Sequence, residues 1–524
     1  MAGNMTAESA ADLGLCVKDT AIQFTEQLLS LFYILSPLDH TKDHAKDVPN
    51  YEVALFPAAG LLVVLEQIIR FFQKKDLSRF QDIVVNIGSL LLFTLTRAIL
   101  LGVVVVVFSY IYDNYRIVDL PLHSVWTWLF SLLLVEFTYY WTHRALHEIN
   151  IFWAAHQFHH MAEDVNITTT IRDSVVDLVL YDIFPMPLAV IVPPPILIVH
   201  IQFSLIYQIW LHNEVVGHLG PIEYIINTPR QHRVHHGKNP YCIDKNYGAL
   251  LMIWDRIFGT YQEEKEKIVF GVVSPTPNTF DSMTLQFGYY RDVAKKFNSV
   301  DGIGNKLSAL FKGPGWGPGK PRLGLLKEVP EPDPAAPKYS YDPFIPLWRK
   351  FYVLLHGTIV LVAFIQLADH PYILYSALKG FAGMLYIILF LTSIGAIFDG
   401  RKFAPILEII RCLVYFPVDY YLVDSVKWAI DDNERFVLYS SLWMIRVSHI
   451  LSIMFWLGYA LFNKYEEPST PKVKDVEGLD VLAKPADSRY EQILFALGLL
   501  TLFVSFGFVY TYNIDSCKHV THAV

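Results

Sequence analysis

Cysteine is scarce. The 524 residues hold four, Cys16, Cys242, Cys412 and Cys517, with no paired spacing, which excludes a disulfide framework. Charge is thin as well: Asp, Glu, Lys and Arg make up 18% of the chain, and the net charge is a mild −8. No broad basic surface is offered to nucleic acid. The first fifty residues are polar and lack the basic and apolar blocks of a cleaved signal peptide, so the first membrane helix is expected to act as the targeting signal.

Hydrophobic side chains are abundant, at 53% of the chain. Several runs reach the ~20 apolar residues that cross a bilayer core of ~30 Å. They predict spans at about 51–72, 83–112, 123–142, 346–368, 372–397, 403–423, 436–462 and 489–512. The apolar stretch 175–211 carries Pro185, Pro187 and the run Pro193-Pro194-Pro195. It reads as a hairpin of two arms hinged at the triple proline. Basic loops at 70–79, 401–402 and 463–489 face the cytosol by the positive-inside rule. Leu250, Leu251, Ile253, Trp254, Ile257 and Phe258 make an apolar face expected to lie along the bilayer surface. Asn4-Met5-Thr6 is a glycosylation sequon.

The expected fold is an all-α polytopic membrane protein, a helical bundle with a histidine-cluster metal site at its cytosolic face. Four segments are expected: a polar lead-in (1–50), a membrane-embedded catalytic domain (51–265), a Pro/Gly-rich cytosolic connector (266–344) and a carboxyl-terminal membrane domain of about five helices (345–524).

The chemistry lies between His143 and His236. Three short clusters occur there: His143 with His147, then His156, His159 and His160, then His232, His235 and His236. Residues three or four apart share one face of a helix, so each cluster can offer two or three ring nitrogens to one centre. Eight imidazoles exceed what one tetrahedral zinc takes and suffice for two ions with open positions. No acidic residue falls inside a cluster, so none reads as the HExxH protease pattern. His212, where the returning hairpin arm leaves the membrane, is a candidate further ligand; His218 is a weaker one. His200, inside the hairpin, is expected to be buried structure.

Two carboxylates stand near the clusters. Glu136, Tyr140, His143 and His147 form one helical stripe. An acid at membrane depth marks function by default, and Glu136 is expected either to support a histidine or to pair with Arg97. Glu148 adjoins His147. It is expected to orient a ligand or handle a proton, against the alternative of a solvated interfacial charge. Both are candidate catalytic residues.

A multi-histidine site beside apolar helices suits a lipid held among those helices. Attack on an unactivated C–H bond requires molecular oxygen and a redox metal, which favours iron over zinc. A histidine-rich zinc transporter or storage protein is the alternative outside oxidative chemistry. A transporter, however, places its ligands near mid-membrane, whereas these lie at the ends of spans.

The order HxxxH, HxxHH, HxxHH, then Asn246-Tyr247-Gly248 and Trp254-Asp255-Arg256-Ile257-Phe258-Gly259-Thr260-Tyr261, resembles the fatty acid hydroxylase/sterol desaturase superfamily over about residues 125–265. His232 to Gly237 with Tyr241 to Tyr247, the segment Gly313 to Gly324 and the second block of helices are similar to its ether-lipid-cleaving members. The resemblance implies two irons at the cytosolic face of the endoplasmic reticulum membrane, held by the eight clustered histidines, with His212 a less secure match. It further implies tetrahydrobiopterin as reductant, and alkylglycerols or lyso-alkyl lipids hydroxylated at the ether-bearing carbon, giving a fatty aldehyde and a glycerol derivative. A sterol or fatty acyl hydroxylase or desaturase of the same superfamily, fed by a cytochrome reductase chain, is the neighbouring reading.

Overall fold

The computed structural model describes residues 25–333, 338–368, 376–423 and 432–462, together with the antiparallel strands Lys472–Lys474 and Asp480–Leu482. The Asn4 sequon and the span expected at 489–512 lie outside the described residues. The principal helices are α1 (Phe56–Phe72), α2 (Phe80–Tyr115), α3 (Val125–Glu148), α4 (Asn150–His160), α5 (Val175–Ile183), α6 (Pro194–Tyr207) and α7 (Pro229–His235). They continue with α8 (Ile253–Phe258), α9 (Ser282–Ser299), α10 (Ile303–Phe311), α11 (Leu347–Ala368), α12 (Ala377–Phe398), α13 (Ala404–Val423) and α14 (Asp432–Phe462).

Among the described residues, three helices are long and apolar enough to cross a membrane: Pro194–Leu211, Leu378–Phe398 and Leu442–Phe462. Phe80–Arg97 and Gly102–Tyr115, bent by 47° relative to each other, make a fourth if taken as one span. This is fewer than the hydrophobic runs suggest, for local reasons. The first run is interrupted at Leu55, leaving a 17-residue α1. In α3 the apolar stretch is interrupted by Glu136, His143, Arg144 and His147.

The hairpin also differs from expectation. Its first arm stops at Ile183, before Pro185, and a 3-10 turn, Met186–Val190, follows. The break is spread over two proline sites. Pro194 and Pro195 then occupy the opening turn of α6, where a missing N–H costs nothing. Most of α6 is buried inside the protein, so it is a core element more than a lipid-facing one. The end of the lead-in packs on it: Leu31 is fully buried, and Tyr33 Oη donates to His200 Nδ1 at 2.7 Å. His200 Nε2 in turn donates to the Trp128 carbonyl at 3.0 Å, so this histidine is buried structure.

One large core joins the two halves of the chain. Phe80, Leu91, Leu95 and Phe158 share it with Val353, Ile387, Leu391, Phe398 and Trp456. The described part of the 266–344 connector is packed against the rest of the protein. Asp281 caps α9 by accepting from Thr284 N, and Phe280 and Leu285 join the same core. At Gly395 a Cβ would stand 2.6 Å from Asp281 Cα, so only glycine lets α12 touch this backbone. Gly324 has φ +87° and its Cα faces the Gly315 carbonyl, which explains the glycines of the Gly313–Gly324 loop.

The carboxyl-terminal helices bury a polar cluster. Arg411 and Glu408 form an ion pair with both side chains fully buried. Tyr352 Oη and Ser393 Oγ donate to Glu408, and Arg411 donates to Tyr386 Oη, His449 Nε2 and His356 Nδ1. Arg446 pairs with Asp419 at 2.7 Å. Outside the core, α3 presents Trp126, Leu129, Phe130, Leu133 and Trp141 at the surface, and Ile222, Tyr224, Ile225 and Ile257 are exposed. A membrane removes such a surface from water.

Candidate metal centre

Two corners of the chain carry the histidines. At the first, α3 ends and α4 begins across a single extended residue, Ile149. Asn150 fixes that corner, its backbone N–H donating to the Lys312 carbonyl and its side chain to the Ala309 carbonyl. At the second, α7 starts with a Thr228–Gln231 capping box and Pro229 in its first turn, a local sequence that favours helix initiation. His212 follows the 3-10 turn Gln208–Leu211 that ends α6.

The nine histidines expected as ligands fall into two groups. His143, His147, His156, His160 and His235 form one, and His159, His212, His232 and His236 the other; within each, one ring nitrogen per residue lies within 4.8 Å of all the others. All nine are buried. The grouping differs from cluster-by-cluster expectation. The i,i+4 pair of each HxxHH goes to one group and the middle histidine to the other.

The geometry fits metal ions. Two nitrogens bound to one ion at ~2.1 Å stand roughly 3.0–3.4 Å apart. In the group of five, Nε2 of His156 lies 3.1 Å from that of His143 and 3.2 Å from that of His160. In the group of four, His212 Nε2 lies 2.8, 3.0 and 3.2 Å from those of His232, His236 and His159. Nε2 of His147 and His235 are buried without a hydrogen-bond partner. Buried ring nitrogens gathered this closely are costly unless cations occupy the space between them.

Backbone and side-chain acceptors hold the rings. Nδ1 of His143 donates to the Tyr247 carbonyl at 2.8 Å, that of His235 to the Lys245 carbonyl at 2.9 Å and that of His212 to the Gln208 carbonyl at 2.9 Å. Thr170 Oγ1 also sits 2.7 Å from His212 Nδ1. His156 and His159 have Asp177 and Asp173 at 3.4 and 3.2 Å from Nδ1. Such partners direct Nε2 inward and fix the tautomer. Burial, reinforced by the other imidazoles, holds His156, His160, His232 and His236 well below the usual histidine pKa, and burial brings His235 to about 3. These five rings are therefore neutral, the form that binds metal.

The two carboxylates sit elsewhere than expected. Glu136 accepts from Ser204 Oγ and from the N–H groups of Leu250 and Leu251, at 2.8–3.0 Å. It pairs with neither a clustered histidine nor Arg97, whose partners are Glu52 and Asp182. Seven residues of helix, about 10 Å of rise, separate Glu136 from His143. Glu148 turns away from His147 to Arg144 and Arg322, at 2.7 and 2.5 Å. That contact ties the glycine-rich loop to the end of α3. His218 is half exposed and pairs with Glu223 at 2.7 Å, apart from both groups.

Sequence reasoning missed the residues that hold the rings. Asp255 accepts from the N–H groups of Tyr247 and Gly248 and from Thr260 Oγ1, shaping the turn whose carbonyl meets His143. Asp173 and Asp177 had a signal: two acids opening an apolar stretch directly after a histidine cluster. The carbonyls of Gln208, Lys245 and Tyr247 have no side-chain signature.

A cavity of about 180 Å3 opens onto both groups, bounded by His143 and His156 of one and His159 and His212 of the other. Tyr139, Thr170, Asp173, Tyr181 and Gln208 line it near the histidines; Leu55, Val63, Ile87, Leu90, Leu91 and Phe93 line the remainder.

Comparison with known proteins agrees with this site. Residues 128–260 match the fatty acid hydroxylase family, and residues 349–428 match the alkylglycerol monooxygenase C-terminal domain. Alkylglycerol monooxygenase of Xenopus tropicalis is 39% identical over 81% of this chain and 95% of its own length. The Homo sapiens protein of that name is 42% identical over 74% of this chain and 86% of its own, and the Caenorhabditis elegans one 34% over 83% and 88%. No solved structure matches the chain. The chain therefore belongs to the alkylglycerol monooxygenase family, membrane enzymes that oxidise lipids.

Proposed function

We propose that this enzyme cleaves the ether bond of alkylglycerols and lyso-alkyl lipids at the cytosolic face of the endoplasmic reticulum membrane, with two irons as resident metals and tetrahydrobiopterin as reductant. The observation that carries the reading is the cavity, apolar along most of its wall and faced by histidines of both groups. An alkyl chain fits the first part and a reacting carbon the second.

Iron bound by the two histidine groups supplies oxygen activation, for which soft, redox-inert sites are unsuited. The balance is one O2 and two electrons with two protons per turnover. One oxygen atom enters the ether-bearing C–H bond as hydroxyl and the other leaves as water. The resulting hemiacetal breaks its C–O bond to give a fatty aldehyde and a glycerol hydroxyl.

The chain's own residues do the rest. Leu55, Val63, Ile87, Leu90 and Leu91 sequester the alkyl chain and exclude water. Tyr181 and Tyr139, with hydroxyls 3.5 Å apart, and Asp173 offer hydrogen bonds to a glycerol head close to the histidines. Glu136 and Asp255 hold the Tyr247–Leu251 turn, and through it His143. Glu148 and Arg322 anchor the loop beside His147.

The test is aldehyde release from an alkylglycerol by purified protein, with and without tetrahydrobiopterin. Release that depends on the pterin and stops in His235→Ala supports the reading. Release driven equally by a cytochrome reductase chain, or none from alkylglycerol, overturns it.

A further inference from the structure

The wall of the cavity is not made by the histidine-bearing half alone. Leu361 and Phe364, both on α11, line it with Ile87, Leu90, Leu91 and Phe93 of α2. The helix α11 belongs to the segment matched by the C-terminal domain family, which contributes none of the nine histidines.

Depth along α2 shows where these side chains stand. Asn86 lies level with the histidines, because Arg172 donates both to Asn86 Oδ1 and to the carbonyl of Phe158, the neighbour of His159. Phe93 is seven residues farther along, about 10 Å of helical rise. Leu361 and Phe364 line the same cavity as Phe93, and both are partly buried against the core that joins the halves. An alkyl chain whose ether carbon sits at the histidines therefore runs toward α11.

We propose that the carboxyl-terminal half supplies the distal wall of the alkyl site, and that Leu361 and Phe364 determine the chain length the enzyme accepts. The inference rests on the functional reading above. Physically, each methylene that finds room in an apolar cavity changes kcat/KM roughly three- to fourfold. A side chain at the far wall thus sets the length at which that gain stops.

The test uses full-length enzyme in lipid nanodiscs and a homologous series of alkylglycerols. Phe364→Ala is expected to raise kcat/KM for the longest chains relative to the shortest, and Leu361→Trp to lower it, each by roughly three- to fourfold per methylene gained or lost. Leu355→Ala, on the exposed side of α11, is expected to keep the wild-type length profile. Profiles that superimpose for all three variants overturn the proposal. A second measurement does not depend on the variants folding. An alkylglycerol with a diazirine at its terminal methyl, irradiated with wild-type protein, is expected to label the peptide containing residues 361–364. Label confined to α1 or α2, or no label, overturns the proposal. Wild-type turnover separates the failures: aldehyde release with misplaced label sinks only the wall, whereas absent release sinks the functional reading.

Discussion

His212 gives the sharpest test of the metal centre, because it stands outside the three sequence clusters yet completes the group of four. Its Nε2 is the one nitrogen within 3.2 Å of all three others in that group. Four-ligand sites bind their metal with about 10–16 kcal/mol, or about 2.5–4 kcal/mol per ligand. Loss of one imidazole, as in His212→Ala, should weaken binding of that ion roughly 10^2- to 10^3-fold, while the group of five keeps its own. Metal analysis of purified protein should then fall from two ions per chain toward one, and aldehyde release should stop. Thr170→Val removes the hydroxyl 2.7 Å from His212 Nδ1 together with its bonds to the Gln208 and Ile209 carbonyls, and loss of such supporting contacts costs roughly 10- to 100-fold in affinity or activity. His218→Ala should leave the metal content unchanged. A His212→Ala protein that retains two ions and full activity refutes the grouping, and so does a His218→Ala protein that loses one.

Two further predictions concern the frame around the site. Gly395→Ala forces a methyl to within 2.6 Å of the Asp281 backbone. The expected overpacking cost, about 1–3 kcal/mol, should appear as a lower melting temperature in detergent and faster proteolysis near 281; an unchanged melting curve contradicts the close approach. Glu408→Gln leaves Arg411 charged and unpaired in a fully buried position, which should cost about 3–5 kcal/mol, and adding Arg411→Met should recover most of it. If the double variant is no more stable than the single one, the pair is not acting as a unit.

Much of the site was legible in the sequence because it depends on helical periodicity. The nine rings converge where HxxxH, HxxHH and the end of the hairpin pointed. The supporting contacts were not legible, since the partners of His143, His235 and His212 are main-chain carbonyls brought in by distant turns. Fewer described helices than apolar runs are long and apolar enough to span, because polar side chains interrupt runs such as that of α3. Hydropathy also does not distinguish protein from lipid as the neighbour: α6 is apolar enough to span, yet most of it is buried in protein. The packing of the described connector residues was hidden because its glycines and prolines look like breakers. At Gly324, and at Gly395 of α12 against Asp281, glycine instead marks places where two backbones touch.

The division of the histidines into five and four follows from the same periodicity, taken one step further than face-sharing. Each residue turns the helix by about 100°, so i and i+4 differ by about 40° while adjacent residues differ by about 100°. His156 and His160 can therefore meet one ion, as can His232 and His236, but His159 cannot point with His160, nor His235 with His236. The odd histidine of each HxxHH has to turn to the other group, which is how His159 joins the group of four and His235 the group of five. Each of these two short helices thereby contributes to both groups, and neither group is complete without both helices in place. The pattern HxxHH, occurring twice, thus builds two neighbouring sets of ring nitrogens and not one crowded set. The HxxxH of α3, with no adjacent third histidine, serves a single group.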